Sequence, residues 1–99
     1  MLVLKRNQEQ SLLLTFGDFE KRIHVYEVSP NNYVRLWIDD VIHLMDLNDC
    51  ITLKFAGHLV TIMITGFIQK AVSIGIRADK SIRIHRMEAY EKYKHANKH

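Results

Sequence analysis

No internal disulfide can hold this chain together, because its 99 residues include a single cysteine, Cys50. Proline is nearly missing as well, with Pro30 alone, and there are only four glycines. Disordered linkers and loop-rich scaffolds need far more of both. The apolar stretches are short and broken by polar residues, so no segment reads as a membrane span. In Met1-Leu2-Val3-Leu4-Lys5-Arg6 the charges follow the apolar residues, the reverse of a secretory signal. A lone cysteine fits a reducing compartment, so a cytoplasmic location is expected, with Cys50 as a half-buried small apolar residue.

Signs of catalysis are missing too. There is no phosphate-binding loop, nucleophile elbow or Ser/His/Asp order, and Asp39-Asp40 reads as a turn or helix face rather than a catalytic pair. The six histidines (His24, His43, His58, His85, His95, His99) lack cysteine or paired-acid partners at ligand spacing. Only His95 and His99 stand at i,i+4, in a tail from His95 to His99 expected to be frayed. The expectation is therefore no enzyme, no catalytic residue, no metal, no cofactor, no small-molecule substrate and no membrane partner.

What is present suits one small globular domain over 1–99, with 47% apolar and 25% charged residues. The net charge of +3 is unevenly spread. Residues 15–50 carry seven acids against three bases, and residues 77–99 carry seven bases against three acids. A polyanion would be steered to the C-terminal part and away from the middle.

Alternating apolar residues predict strands at Leu2–Arg6, Ser11–Phe16, Arg22–Val28, Ile51–Phe55, 60–65 and 72–76, with turns at 7–10, Gly17-Asp18, Ser29–Asn32 and 77–80. Ser81-Ile82-Arg83-Ile84-His85-Arg86 continues as a basic strand. From Met87 the spacing turns helical, with Met87, Tyr90 and Lys94 on one face and Glu88 placed to pair with Lys92. Residues 33–47 fit two patterns. Val34, Leu36 and Ile38 alternate as in a strand. Arg35, Asp39, His43 and Asp46 form a helical polar stripe that Asn32 could cap. The fold class is mainly β, a small antiparallel sheet or barrel-like domain with a C-terminal α-helix.

Met1-Leu2-Val3-Leu4-Lys5-Arg6, the Gly57 to Gly75 hairpin, and Ile82-Arg83-Ile84-His85-Arg86-Met87-Glu88-Ala89-Tyr90 together resemble the carbon storage regulator (CsrA/RsmA) family over residues 1–14 and 57–93. The family comprises bacterial RNA-binding regulators of translation, built as intertwined homodimers of five-stranded chains. The first strand of one chain lies beside the fifth of the other, and RNA binds along that pair. The resemblance implies recognition of GGA-containing single-stranded loops of mRNA, with regulatory small RNA as a further partner. It implies an RNA-binding set of Leu2, Leu4, Lys5, Arg6, Arg83, Ile84, His85, Arg86 and Glu88. Arg86 would meet phosphate or a guanine edge, Lys5, Arg6 and Arg83 phosphates, and Leu4 and Ile84 an apolar floor. The chain departs from the pattern at Asn7, Asp79 and Ala89, where a basic residue, a proline and an aliphatic residue are usual.

An extra segment separates the family's start from its third strand. Two accounts remain open. Residues 1–48 are a degenerate first copy and 49–94 a second copy with the helix, so that one chain is a pseudo-dimer. Alternatively, 33–47 is a helix inserted into a homodimer subunit. In the tandem account Leu44–Asp46 would border a second site, where Asp46 stands in place of a basic residue, leaving one working site. The alternative function is a protein-interaction module anchored by Tyr33, Leu36, Trp37 and Leu44, although Trp37 is otherwise expected in the core.

Overall fold

The computed structural model describes residues 1–96. Nine strands and a helix follow in order: β1 (Leu2–Asn7), β2 (Ser11–Phe16), β3 (Phe19–Val28), β4 (Tyr33–Ile38), β5 (Val41–Asp46), β6 (Cys50–Phe55), β7 (His58–Ile68), β8 (Ala71–Arg77), β9 (Arg83–Arg86) and α1 (Met87–Ala96). The strands form two antiparallel sheets, ordered β1-β8-β7-β6 and β5-β4-β3-β2-β9. The mainly-β class with a C-terminal helix is therefore correct. The helix runs to Ala96, which corrects the fraying expected at His95 and Ala96; Asn97–His99 lie outside the described residues.

Alternation decides which residues meet. Leu12, Leu14, Ile23, Val25, Val34 and Leu36 of the five-stranded sheet are buried in one cluster with Val60, Ile62, Ile64, Val72, Ile74 and Ile76 of the four-stranded sheet. Each such aliphatic side chain contributes roughly 1.5–3 kcal/mol by leaving water.

Residues 33–47 are strands, which corrects the inserted-helix alternative. Val34, Leu36 and Ile38 point into the core, and Asp39-Asp40 turns β4 directly into β5. Both aspartates have positive φ, 49° and 63°. A two-residue hairpin of type I′ requires this, and its twist matches that of the strands. Lys21 holds the turn through an ion pair with Asp39. Asn32 also has positive φ and sits in the β3–β4 turn rather than capping a helix. Trp37 points outward and is 44% exposed, so its expected place in the core is corrected. Cys50 is exposed rather than half-buried, because it opens an edge strand.

The two sheets repeat one pattern. After β1, Gln10 N donates to Asn7 O (3.1 Å) and Asn7 N donates to Gln10 Oε1 (2.8 Å). After β5, Asp49 N donates to Asp46 O (3.1 Å) and Asp46 N donates to Asp49 Oδ2 (2.8 Å). Glu9 and Gln10 then bond the backbone of Val25, as Asn48 and Asp49 bond that of Ile64. Every partner in the second set lies 39 positions after its counterpart, Val25 to Ile64 for example. The bulge between Val25 and Glu27 recurs between Ile64 and Gly66. β5 lies along β4 as β1 lies along β8, with Met45 opposite Val34 and Arg6 opposite Val72. The repeat is incomplete at one place: β9 lies against β2, whereas no described strand lies against the outer edge of β6.

Candidate nucleic-acid interface

The strand at each end of the described chain borders a sheet, and the two borders meet. Leu2, Leu4 and Arg6 form the inward row of β1, opposite Ile76, Ile74 and Val72. Ile84 and Arg86 form the inward row of β9, opposite Leu14 and Leu12. Met1 and Leu2 share a surface cleft with Ile82 and Ile84. Leu4 is buried, Ile84 half-buried and Leu2 exposed, so the floor grades from core to surface.

Arg6 ties this edge together. Its Nε donates to Lys5 O (2.9 Å), and its Nη1 donates to Ser11 O (3.2 Å) and Glu88 Oε2 (2.9 Å). Nη2 lies 2.8 Å from Glu88 Oε1, which completes a two-pronged pair. The residue is 5% exposed. With its guanidinium held by Glu88 and two carbonyls, Arg6 positions strand and helix rather than standing free for a phosphate. Glu88, expected to pair with Lys92, pairs with Arg6 instead. The hydrogen bond from Arg6, with the positive charges of Arg6 and Arg86, holds the Glu88 carboxyl below its ordinary pKa.

Lys5, Arg83 and Arg86 are exposed and have no ion pair among the described residues. Lys5 stands on the outward row of β1, opposite Ser73, and Arg83 on the outward row of β9, opposite Thr15. His85 is held, its Nε2 3.0 Å from Thr15 Oγ1 and its ring 5.0 Å from that of Tyr90. Tyr90 in turn donates to Glu20 Oε1 (3.0 Å), which draws α1 over β2 and β9. Arg83, Ile84, His85, Arg86, Ala89 and Tyr90 line one groove. Thr15 and Glu20 could not be found from sequence, because only the β2–β9 register and the packing of α1 beside it bring them to residues 70 positions away.

Asp79 accounts for the missing proline. Its Oδ1 accepts hydrogen bonds from Ser81 N (2.9 Å) and Ser81 Oγ, and its carbonyl accepts from Ile82 N (3.0 Å). An aspartate closing the turn two residues on fixes the entry to β9 as a rigid ring would. The two bonds from Ser81, the side-chain one first, lower the Asp79 pKa.

In the second half the register places Met45, not Asp46, where Arg6 stands in the first; Asp46 matches Asn7, and Leu44 matches Lys5. No basic residue replaces Arg6 there, and among the described residues no strand corresponds to β9. Among the described residues, no three His, Cys, Asp or Glu side chains converge, and no helix is long and apolar enough to cross a membrane.

Residues 48–95, from the turn before β6 through most of α1, match the model of the CsrA family, described as a global regulator protein family. No curated protein and no solved structure matches the chain. With its C-terminal half matched to that model and its strands in two small antiparallel sheets, the chain belongs to the carbon storage regulator (CsrA) family of RNA-binding global regulators.

Proposed function

We propose that the chain binds GGA-containing single-stranded loops of mRNA in the groove between β1 and β9, and thereby modulates translation or stability. The observation that carries this reading is the Arg6–Glu88 pair, which fastens the first strand of the chain to the start of its helix and leaves Arg86 exposed beside it. Unpaired bases suit such a groove because their edges and faces are accessible. Arg86 offers a planar fork to a guanine edge or a phosphate, Lys5 and Arg83 meet phosphates, and Leu2 and Ile84 line the floor. Arg6 and Glu88 set the geometry, and His85 orients the groove wall through Thr15 and Tyr90. Regulatory small RNA that presents the same loops would compete for the same groove.

We further propose that residues 1–48 and 49–94 are two copies of one unit, the first degenerate, so that a single chain does what two would otherwise do. The recurring turns, bulge and register support this reading. Met45 and the missing ninth-strand counterpart then leave one RNA site per chain. A gel shift with a GGA-loop hairpin, wild type beside Arg86→Ala, tests the site. Arg86→Ala should weaken binding by about 1–3 kcal/mol, roughly ten- to a hundredfold. Failure of the wild type to bind at moderate salt ends the RNA reading, and equal binding by both proteins ends the assignment of Arg86. Light scattering should give the mass of one 11.7 kDa chain; a mass of twice that points to a homodimer.

A protein-interaction role keeps one supporting observation. Trp37 and Leu44 are exposed on the outer face of the five-stranded sheet, and Tyr33 is half-buried. Leu36 is fully buried and is not available as an anchor.

A further inference from the structure

The outer edge of β6 lacks what its counterpart has. Leu12 and Leu14 of β2 are fully buried, covered by β9 with Ile84 opposite Leu14 and Arg86 opposite Leu12. Ile51 and Leu53 hold the same positions in β6, 39 residues on, and pack against the same core, yet both stay half-buried. Alternate N–H and C=O groups along an edge strand face away from the sheet and can pair with another chain.

Charge says what kind of chain fits. Beside β9 the rim carries Arg6, Asn7 and Gln10. The matching positions beside β6 carry Met45, Asp46 and Asp49, so the rim changes from one positive charge to two negative ones. The basic rim is met by Glu88 of α1. An acidic rim asks for the opposite sign and repels RNA.

We propose that the β6 edge is a docking site for an extended strand of another protein, apolar at alternate positions and carrying Lys or Arg beside Asp46 and Asp49. The added strand completes the four-stranded sheet by main-chain pairing, closes over Ile51 and Leu53, and sets its positive charge against the two carboxylates. This site is separate from the β1–β9 groove and does not depend on the RNA reading.

The chain supplies its own probe. A peptide of residues 81–87, Ser-Ile-Arg-Ile-His-Arg-Met, follows the pattern that covers β2. In the β2–β9 register Leu12 faces Arg86, so on β6 Ile51 would face Arg86 of the peptide, and Cys50 would face its last position. Cys50 is exposed and is the chain's single cysteine, so it reports register. The peptide is made with Met87→Cys and presented as its mixed disulfide with glutathione. The Cys50 thiolate attacks the peptide sulfur, forming the protein–peptide disulfide and releasing glutathione as a thiol. Full-length protein should be tethered at least about tenfold more by this peptide than by a scrambled peptide ending in the same cysteine, corresponding to a 1.4 kcal/mol preference. Asp46→Asn, which restores the residue type of Asn7, should reduce that preference at low salt. A GGA-loop hairpin should leave it unchanged. Equal tethering by the scrambled peptide overturns the proposal, as does indifference to Asp46→Asn. Competition by the hairpin overturns it in favour of a nucleic-acid surface. Protection of Cys50 by self-association without peptide overturns it in favour of a second copy of the chain.

Discussion

Replacing Arg6 by methionine should cost less stability than removing its partner, Glu88. Arg6 is 5% exposed, and its counterpart Met45, packed opposite Val34 as Arg6 is opposite Val72, is 2% exposed. The fold therefore already accommodates methionine at this register position. Arg6→Met loses a charge-assisted pair of about 1.5–3 kcal/mol and deprives the Lys5 and Ser11 carbonyls of a donor, about 1 kcal/mol more for each. Against this, several kcal/mol of guanidinium desolvation are removed, and a buried thioether side chain contributes about 1.5–3 kcal/mol. The terms nearly cancel, so Arg6→Met should lie within about 1.5 kcal/mol of wild type. Glu88→Ala instead leaves a buried guanidinium without its carboxylate. That costs 3–5 kcal/mol for a fully buried pair, reduced here to about 2 kcal/mol because Glu88 is half-exposed and water can replace it. The double variant should resemble Arg6→Met alone.

Urea unfolding of the four proteins, followed by circular dichroism, measures the order directly. Arg6→Met proving more costly than Glu88→Ala would refute the reasoning. Acid adds a second check. The Glu88 pKa is lowered in the folded state, so its contribution is fully present above its ordinary value of 4.5 and is lost as pH falls through the folded value. Wild type should therefore lose stability below that point more steeply than Arg6→Met, in which the hydrogen bond that lowers the pKa most is gone and only the Glu88 backbone bond and the charge of Arg86 remain.

Other consequences are quicker to test. Leu14→Ala should cost about 2–5 kcal/mol and Leu53→Ala clearly less, because only the first is fully buried; thermal unfolding compares them. Asp40→Gly should stabilise by up to about 1 kcal/mol, since Asp40 holds φ of 63° in the β4–β5 hairpin and relief of that strain, about 1–2 kcal/mol, exceeds glycine's entropy cost of about 0.5–1 kcal/mol; denaturant midpoints would show it. Alanine at Lys5 or Arg83 should lower RNA affinity alike for all sequences and reduce the salt slope by about one; filter binding across a salt series gives both.

Most strands were legible because Ile, Val and Leu alternate with polar residues through both halves, and that period leaves little choice. The bases at the end of the chain were legible as a surface for the same reason. What was hidden depends on contacts distant in sequence. Arg6 reads as a free cation until β1 and α1 are brought together, when Glu88, 82 positions away, takes its guanidinium. Residues 33–47 were ambiguous because Arg35, Asp39, His43 and Asp46 do form a helical stripe. The stripe lost to the burial of Val34, Leu36 and Ile38 and to a turn without the usual glycine. The tandem account set the second half one residue out of register, which put Asp46 where the pairing has Met45, because only the β4–β5 pairing fixes that position.

That turn also accounts for the asymmetry of the molecule. After β8 the chain runs from Ala78 to Ile82 before β9, a link long enough to cross from the four-stranded sheet to the edge of the five-stranded one. After β4, the matching strand, only Asp39 and Asp40 intervene, and a two-residue hairpin can do nothing but fold β5 back beside β4. No residues remain to travel to β6. One short connection thus leaves β6 uncovered and removes the strand that would have faced β5, and it does so without disturbing the buried rows that hold the two sheets together. On the two-copy reading, the second groove lacks a wall as well as the Arg6 counterpart. Restoring a basic residue at Met45 alone should therefore create no second RNA site, and titration of Met45→Arg should still saturate at one hairpin per chain.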